Sequence, residues 1–317
     1  MGHFGIYRDH TPELIRKIRK IWYQRMKKKS YYFLNLYNNK GNLKLINTNF
    51  AWYITGLLES NGRIVVPKTI WNSLQELNYP SIYIGFKEGN RHLALSIKKK
   101  LNNGKIIKTK GNNKYWLIIN TYSGLILLIY ILNGKMKTPQ INNLNNLIDW
   151  INIMKDLNIR KKKIDKSCLS LNAWLSGFID GNGFFFLRFR KTILSCGLEI
   201  LVKCIDGQGY NWFEIMNQLS IYLNLRLKIK EDKTYFNSFK IRTCNLYSNL
   251  ILIYYLDKYP LLSDKIFKYK DWSSVINMIK LGNHKSKKGL LKIISIKKNF
   301  NIKQTVFHFN NIYNLYK

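Results

Sequence analysis

Two nine-residue segments place oxygen-bearing side chains at matching positions 121 residues apart in the chain. Residues 54–62 have the sequence ITGLLESNG, and residues 175–183 have the sequence LSGFIDGNG. Each segment has an acid at its sixth position, Glu59 or Asp180, and an amide at its eighth position, Asn61 or Asn182. Carboxylates are preferred ligands of Mg²⁺, and an amide oxygen is a neutral substitute. Two residues turn a helix by about 200°, so we expect the acid and the amide to face opposite ways.

Small residues recur four positions apart in both segments. Gly56 and Ser60 share one face of a predicted helix, and Gly177 and Gly181 share the corresponding face of the second. Small residues at this spacing let two helix backbones approach closely. We therefore predict that the two helices pack against each other along these faces, with Gly62 and Gly183 in a left-handed or close-packed turn after them.

With Ala51-Trp52 and Ala173-Trp174 before them, the two segments resemble the LAGLIDADG signature of intron-encoded homing endonucleases and maturases. In that family the eighth residue is normally Asp or Glu and holds the catalytic metal. The resemblance implies that the two helices cross at a pseudo-twofold axis beneath a nucleic-acid-binding saddle. Because Asn61 and Asn182 are neutral, we expect the endonuclease activity to be lost and no cofactor to be needed. The simpler interpretation of these two residues is that they end their helices.

Active members of the family often use a basic residue late in each repeat. Lys265, in the stretch PLLSDK, matches that pattern, whereas the counterpart in the first repeat is Gln140. We interpret both positions as vestigial catalytic positions, and the loss of Lys at the first is a second sign of degenerate chemistry.

The duplication extends beyond the two signatures. Residues 124–131 parallel residues 249–256, and Asp149-Trp150 parallels Asp271-Trp272. The element order predicts an α+β fold of two αββαββα repeats with antiparallel sheets that form a basic saddle. The predicted boundaries are a basic N-terminal extension at 1–49 with a helix from Thr11 to about Lys29, repeat one at 50–157, a basic linker at 158–171, repeat two at 172–282, and a basic tail at 283–317.

Apolar and cationic residues alternate in the predicted strands of repeat two. Leu225, Leu227 and Ile229 alternate with cations, and Phe239, Ile241 and Thr243 do the same, which indicates strands with one buried face and one cationic face. Solvated surface is the alternative to phosphate contact. The predicted nucleic-acid-binding residues are Arg188, Arg190, Arg226, Lys228, Lys230, Lys240, Arg242, Lys105, Lys108, Lys161, Lys162 and Lys163.

The charge balance predicts a polyanionic partner. The chain has 317 residues with 53 Lys and Arg against 17 Asp and Glu, a net charge of +36.

Its longest apolar runs are far shorter than the about 18 residues of a membrane span, so we expect no membrane association. The four cysteines lack CxxC spacing, so we expect no metal. Scarce Ala and Pro indicate an AT-rich genome, from which we expect a mitochondrial, organelle-encoded protein.

These observations favour a monomer with internal pseudo-twofold symmetry that binds structured RNA without cleaving it. Two versions stay open: a component of the mitochondrial ribosome that contacts ribosomal RNA and other ribosomal proteins, or a group I intron maturase. The excess of Lys over Arg favours contacts with the phosphate backbone. The alternative function is an active Mg²⁺-dependent homing endonuclease that cuts double-stranded DNA, and a DNA-binding repressor is a third.

Overall fold

The computed structural model describes residues 47–69, 73, 77–109, 111, 113–190, 193–231 and 237–300. Among these residues there are nine α-helices and two four-stranded antiparallel sheets. The predicted helix at Thr11 to Lys29 lies outside the described residues, as does the tail beyond residue 300. Within the part of the chain that is described, no helix is both long and apolar enough to cross a lipid bilayer.

The first repeat contains four helices and one sheet. Its helices are α1 (Thr48–Asn61), α2 (Arg91–Leu101), α3 (Tyr122–Leu132) and α4 (Ile141–Lys155). Its strands are β1 (Gly62–Val65), β2 (Ser81–Lys87), β3 (Lys105–Lys108) and β4 (Lys114–Ile119), in the spatial order β1-β2-β4-β3. Two of the helices have side-chain caps, because Asn47 accepts from the Asn49 amide at α1 and Thr121 accepts from the Gly124 amide at α3.

The second repeat has the same element order and one further helix. Its helices are α5 (Trp174–Asn182), α6 (Phe213–Tyr222), α7 (Leu246–Lys258), α8 (Lys265–Lys280) and α9 (Lys287–Phe300). Its strands are β5 (Gly183–Arg190), β6 (Ile193–Lys203), β7 (Lys228–Lys230) and β8 (Ser238–Arg242), in the order β5-β6-β8-β7. The predicted duplicated αββαββα order is confirmed.

Two details of the strand predictions are wrong. The alternation from Leu225 to Lys230 predicts a six-residue strand, but β7 contains only its last three residues. Ile229, which was predicted to face the core, is 61% exposed. The cause is position: β7 is an edge strand that pairs only with β8 among the described residues, so its apolar side chain gains little cover. By contrast, Phe239, Ile241 and Thr243 are buried as predicted.

The two repeats meet along the helices α1 and α5. Both helices are buried over most of their length, and one hydrophobic core runs from repeat one into repeat two. The sheets begin directly where these helices end, since β1 follows α1 and β5 follows α5 without a loop. The helix pair therefore fixes where both sheets start.

The predicted linker is held against the first repeat. The Asn133 side chain binds the backbone of Arg160 and Lys162, and the Asn152 side chain binds the backbone of Ile159. The buried ammonium of Lys137 lies 2.5 Å from an Asp165 oxygen. These contacts anchor the linker to the C-terminal ends of α3 and α4.

Candidate nucleic-acid interface and the helix junction

The glycine faces of α1 and α5 are in backbone contact. A Cβ atom added to Gly56 would lie 1.9 Å from the Trp174 carbonyl oxygen. The pseudo-equivalent atom on Gly177 would lie 2.0 Å from the Tyr53 carbonyl oxygen. One on Gly181 would lie 1.8 Å from Ser60 Oγ. Only residues without a side chain allow this approach, so the spacing seen in the sequence corresponds to the contact surface of the two helices.

Asn61 and Asn182 are the last residues of these helices, and both are exposed. Asn61 Nδ2 donates to the Gly85 carbonyl at 2.8 Å, and Asn182 Nδ2 donates to the Leu201 carbonyl at 3.4 Å. The two acceptors are equivalent, because Gly62 pairs with Ile84 and Gly183 pairs with Ile200, one residue before each acceptor. The amides therefore join each helix end to the neighbouring strand in the same way.

Gly62 and Gly183 are required for close packing and not for a left-handed backbone. Their φ angles are −129° and −77°, so the left-handed alternative is wrong. A Cβ atom on Gly62 would lie 2.7 Å from the Tyr83 carbonyl oxygen, and one on Gly183 would lie 2.9 Å from the Ile179 carbonyl oxygen. The chain turns directly from helix into strand, and backbone crowding excludes a side chain there.

Glu59 is buried on the far side of its helix from Asn61. It accepts hydrogen bonds from the amides of Lys137 and Thr138, from Thr138 Oγ1 and from Trp174 Nε1. Burial raises its pKa to about 7, although the hydrogen bonds of Thr138, Trp174 and Lys137 lower it. Glu59 thus holds the loop before α4 and contacts the other repeat.

Asp180 has the equivalent structural role in repeat two. It accepts hydrogen bonds from the amides of Leu262 and Ser263, from Ser263 Oγ, and from the hydroxyl of Tyr53 at 2.7 Å. Burial raises its pKa, and the hydrogen bond from Ser263 and the charge of Lys265 lower it. Both acids are enclosed by protein donors, so neither replaces an oxygen ligand at the helix ends.

Gln140 and Lys265 occupy equivalent places behind the helix ends. Gln140 Nε2 donates to the Glu59 carbonyl at 3.0 Å, and Lys265 Nζ donates to the carbonyls of Ile179 and Asp180, both at 2.8 Å. Burial lowers the pKa of Lys265 to about 8, although the charge of Asp180 raises it. Both side chains bind the last turn of a helix.

Each sheet has a face turned away from the buried core, which we call its open face. In the first sheet, strand pairing places Arg63, Tyr83, Ile118 and Lys105 in one row across this face. The Arg63 guanidinium lies 4.7 Å from the Tyr83 ring centroid and 5.3 Å from that of Trp116. Further open-face cations of this sheet are Lys87 and Lys114.

Lys105 and Lys108 are both predicted nucleic-acid-binding residues, but Lys108 lies on the opposite face of β3 from Lys105. It pairs with Tyr115, which pairs with the buried Phe86, whereas Lys105 pairs with Ile118 on the open face. The reason is the two-residue period of a strand, which turns residues three apart to opposite sides. Lys108 Nζ lies 3.8 Å from Glu88 at the edge of the sheet.

The second open face carries five of the twelve predicted cations and one that was not predicted, Lys203. Strand pairing places Arg188, Lys203, Lys228, Lys230, Lys240 and Arg242 there. Arg242 lies 4.2 Å from the ring centroid of Phe186, and Arg188 lies 5.4 Å from it on the same face. Arg190 is the last residue of β5, and Arg226 is exposed before β7.

An acid interrupts the second open face. Glu199 pairs with Arg242 across the sheet, and its carboxylate lies 3.0 Å from Lys240 Nζ and 3.8 Å from Arg242 Nε. Glu199 therefore holds two cations in place and offsets part of their charge.

The linker lysines are apart from both open faces. Lys161 Nζ lies 2.6 Å from Asp149 Oδ2 on α4, the backbone of Lys162 is bound by Asn133, and Lys163 is exposed. The sequence predictions also missed open-face residues in both sheets, namely Arg63, Lys87, Lys114 and Lys203. Strand register, which a single sequence does not reveal, is what identifies them.

Comparison with known proteins agrees with this geometry. Residues 175–276 match the LAGLIDADG endonuclease family. The chain is 27% identical over 318 residues to the intron-encoded DNA endonuclease aI3 of Saccharomyces cerevisiae, with 88% of this chain and 76% of that protein covered. It is 24% identical to a probable intron-encoded endonuclease 4 of Neurospora crassa, of which it covers 44%, with 80% of this chain aligned.

Solved structures share the fold. The meganuclease I-AabMI bound to uncleaved DNA superimposes with a TM-score of 0.58 at 22% identity, over 79% of this chain and 99% of that chain. The homing endonuclease I-SmaMI bound to cleaved DNA gives a TM-score of 0.59 at 16% identity, over 79% of this chain and 96% of that chain. The chain is thus similar to the intron-encoded endonuclease aI3, matches the LAGLIDADG endonuclease family over residues 175–276, and has the fold of the LAGLIDADG meganucleases.

Proposed function

We propose that the protein binds structured RNA on the two open faces and does not cleave nucleic acid. The observation that carries this proposal is the pair of amides at the helix ends. Each Asn Nδ2 is committed to a strand carbonyl, at Gly85 or Leu201, which a carboxylate oxygen in the same place would repel. The helix ends are thus arranged for neutral donors and not for anions.

This donor set does not fit the Mg²⁺ of an active nuclease. A hard divalent cation needs carboxylates to offset its charge, and the helix ends offer only amide oxygens. The nearest acids, Glu59 and Asp180, are buried and engaged by backbone and side-chain donors. The buried ammonium of Lys265 adds positive charge behind the same junction. These features together oppose metal-assisted hydrolysis.

The composition of the cationic surface supports backbone recognition. Of the 53 basic residues, 42 are Lys and 11 are Arg. Lys acts as a point charge toward phosphate, whereas Arg more often makes bidentate contacts with bases. The open faces combine such cations with the partly exposed rings of Tyr83 and Trp116, which can stack on unpaired bases.

The relatives favour an intron RNA over ribosomal RNA as the partner. Two proteins homologous to this chain are named as intron-encoded, and neither name refers to a ribosome. We therefore place the group I intron maturase role first and the ribosomal role second. In both cases the protein acts as a monomer inside the mitochondrion. Sequencing its locus tests the organellar origin of the gene, because a nuclear gene would contradict it.

An active endonuclease is the second candidate function. The same relatives are named as endonucleases, and the structural neighbours are bound to DNA. If this alternative holds, Mg²⁺ is the required cofactor and double-stranded DNA is the substrate. The arrangement of Asn61 and Asn182 is the feature that opposes it.

Binding and cleavage of matched substrates separate these functions. Affinities for the intron RNA, for ribosomal RNA and for duplex DNA that spans the intron insertion site are measured at one salt concentration, because salt alone changes them. We expect the intron RNA to bind most tightly and the DNA to stay uncut in Mg²⁺. Tighter binding to duplex DNA would contradict the RNA proposal. DNA cleavage that is lost in Asn61→Ala and Asn182→Ala would contradict the loss of catalysis.

A further inference from the structure

A cavity in the second repeat has features of a ligand site. It has a volume of about 300 Å³ and lies between the β5–β6 hairpin and helices α7, α8 and α9. Phe189, Cys196, Cys244, Asn249, His284 and Leu290 are among the residues that line it. Because α9 follows the second αββαββα repeat, the cavity is partly built by a segment outside the duplicated fold.

Two residues that line this cavity each have a buried polar atom that lacks a partner among the described residues. Asn249 is 2% exposed, its Nδ2 donates to the Cys196 carbonyl at 3.5 Å, and its Oδ1 accepts no hydrogen bond there. His284 Nδ1 is likewise buried without a partner. Buried polar groups are normally satisfied, so a ligand donor that reached either atom would supply the partner it lacks.

The walls suit a flat, uncharged ring attached to a polyanion. Phe189, Leu194, Leu246, Ile276 and Leu290 supply apolar surface, and none of the described lining residues is acidic. Burial raises the pKa of the Cys196 thiol to about 11, so this wall is neutral. Around the cavity the charge is positive, since Lys297 Nζ lies 5.1 Å from the Phe189 ring centroid and α9 carries four further lysines.

The cavity adjoins the second open face through a single strand. Arg188 is exposed on the open face, and the next residue of β5, Phe189, turns to the other side and lines the cavity. A nucleic-acid strand held by Arg188 would therefore lie one residue along β5 from a wall of the cavity. Duplex bases are paired and stacked, so only an unpaired base is free to turn into it.

We propose that this cavity binds an unpaired nucleobase, with Asn249 Oδ1 accepting a hydrogen bond from an amino or ring N–H group. His284 Nδ1 makes a second hydrogen bond, and Phe189 and Leu290 contact the ring faces. The inference rests on the proposed RNA-binding function and adds a site for base recognition to it.

Alkylation of cysteines in the full chain tests the site. Cys244 lines the cavity and is exposed, whereas Cys168 is exposed outside it and serves as the internal reference. Both cysteines are labelled with N-ethylmaleimide in the presence of a saturating single-stranded RNA oligonucleotide. Peptide mass spectrometry measures the labelling rate of each cysteine. The control ligand is an abasic oligonucleotide of the same length, which keeps the phosphates but lacks bases.

We expect the base-containing RNA, at a concentration tenfold above the Kd of the RNA, to slow labelling of Cys244 about tenfold. The labelling rate of Cys168 should not change, and the abasic oligonucleotide should protect Cys244 little. Nucleoside monophosphates, tested alone, show whether a free nucleotide also enters. Asn249→Leu and Leu290→Trp should remove the base-dependent protection. Leu291→Trp, on the same helix but outside the cavity, should retain it, and circular dichroism verifies the fold of each variant.

Equal protection by base-containing and abasic ligands would overturn the proposal, because the open face alone would then shield Cys244. The proposal would also be overturned if fluorescence anisotropy showed that the RNA is bound while the labelling rate of Cys244 stayed unchanged. If anisotropy shows that neither this oligonucleotide nor the intron RNA binds, the proposed function fails. Whenever the oligonucleotide does not bind, the nucleoside monophosphates decide the cavity separately: protection of Cys244 supports it and the absence of protection refutes it.

Discussion

The indole of Trp174 in the second repeat donates a 2.6 Å hydrogen bond to the carboxylate of Glu59 in the first. The reciprocal bond runs from the Tyr53 hydroxyl to Asp180 at 2.7 Å. Trp174 and Tyr53 each stand directly before a signature segment, and Glu59 and Asp180 are the sixth residues. The helix pair is therefore joined by two equivalent crosswise bonds between buried groups, in addition to its glycine contact.

Replacing Glu59 by Gln should destabilise the protein by about 1–3 kcal/mol, because the new amide presents its own donors to buried donors from Thr138 and Trp174. Urea denaturation measures the change. Glu214→Gln, at a side chain that is 60% exposed, is the matched control and should change stability by less than about 0.5 kcal/mol. Similar losses in the two variants would contradict a structural role for Glu59.

The stability that Glu59 contributes should fall as the pH rises. Its folded pKa is raised from 4.5 to about 7, so the folded state binds its proton more tightly than the unfolded state. The contribution is full below pH 4.5 and declines through pH 7, by about 3 kcal/mol at most. Denaturation of the native chain and of Glu59→Gln across this range measures it as the difference. If the stability difference between the native chain and Glu59→Gln grows with pH, Glu59 is ionised in the folded state across the whole range.

Replacing Gly177 by Ala should destabilise the protein by about 3 kcal/mol or more, because the new methyl group would overlap the Tyr53 carbonyl across the helix pair. Thermal unfolding measures the loss. Gly207→Ala is the matched control, since a Cβ atom there has no described neighbour within 4 Å. If the two variants are equally stable, the helices are not in the close contact described above.

Two lysines of one strand give a sharp test of the open face. Lys105→Ala should weaken nucleic-acid binding and reduce the slope of log affinity against log salt by about 0.7–0.9, the value of one phosphate contact. Lys108→Ala removes the same charge from the opposite face and should leave the slope unchanged. Equal effects of the two substitutions would mean that net charge, and not the open face, determines binding.

Much of the fold is visible in the sequence because the pattern occurs twice. Aligning the two signature segments also aligns the helices and strands that follow them. The weakly patterned strands of repeat one are therefore predicted from the corresponding strands of repeat two. The short β7 shows where this reasoning ends. Alternation from Leu225 to Ile229 indicates a strand, but whether a neighbour covers it depends on sheet order, which local periodicity does not contain.

The candidate site is less accessible to sequence reasoning. Lys105 and Lys108 are the same residue type with the same charge, and only the register of β3 with β4 assigns them to different faces of the sheet. The partners of Glu59 at Trp174 and Thr138 are 115 and 79 residues away along the chain. The period of a helix indicates that Glu59 points away from Asn61, but only the packed structure shows what receives it.

The crosswise bonds make the folding of each half depend on the other. Without repeat two, Glu59 would lose the Trp174 donor, and without repeat one, Asp180 would lose the Tyr53 donor. Each half alone would also expose a glycine-lined helix that is now covered. Although the chain has two sheets and two sets of helices, it should unfold in a single cooperative transition, and a half expressed by itself should fail to form a stable domain.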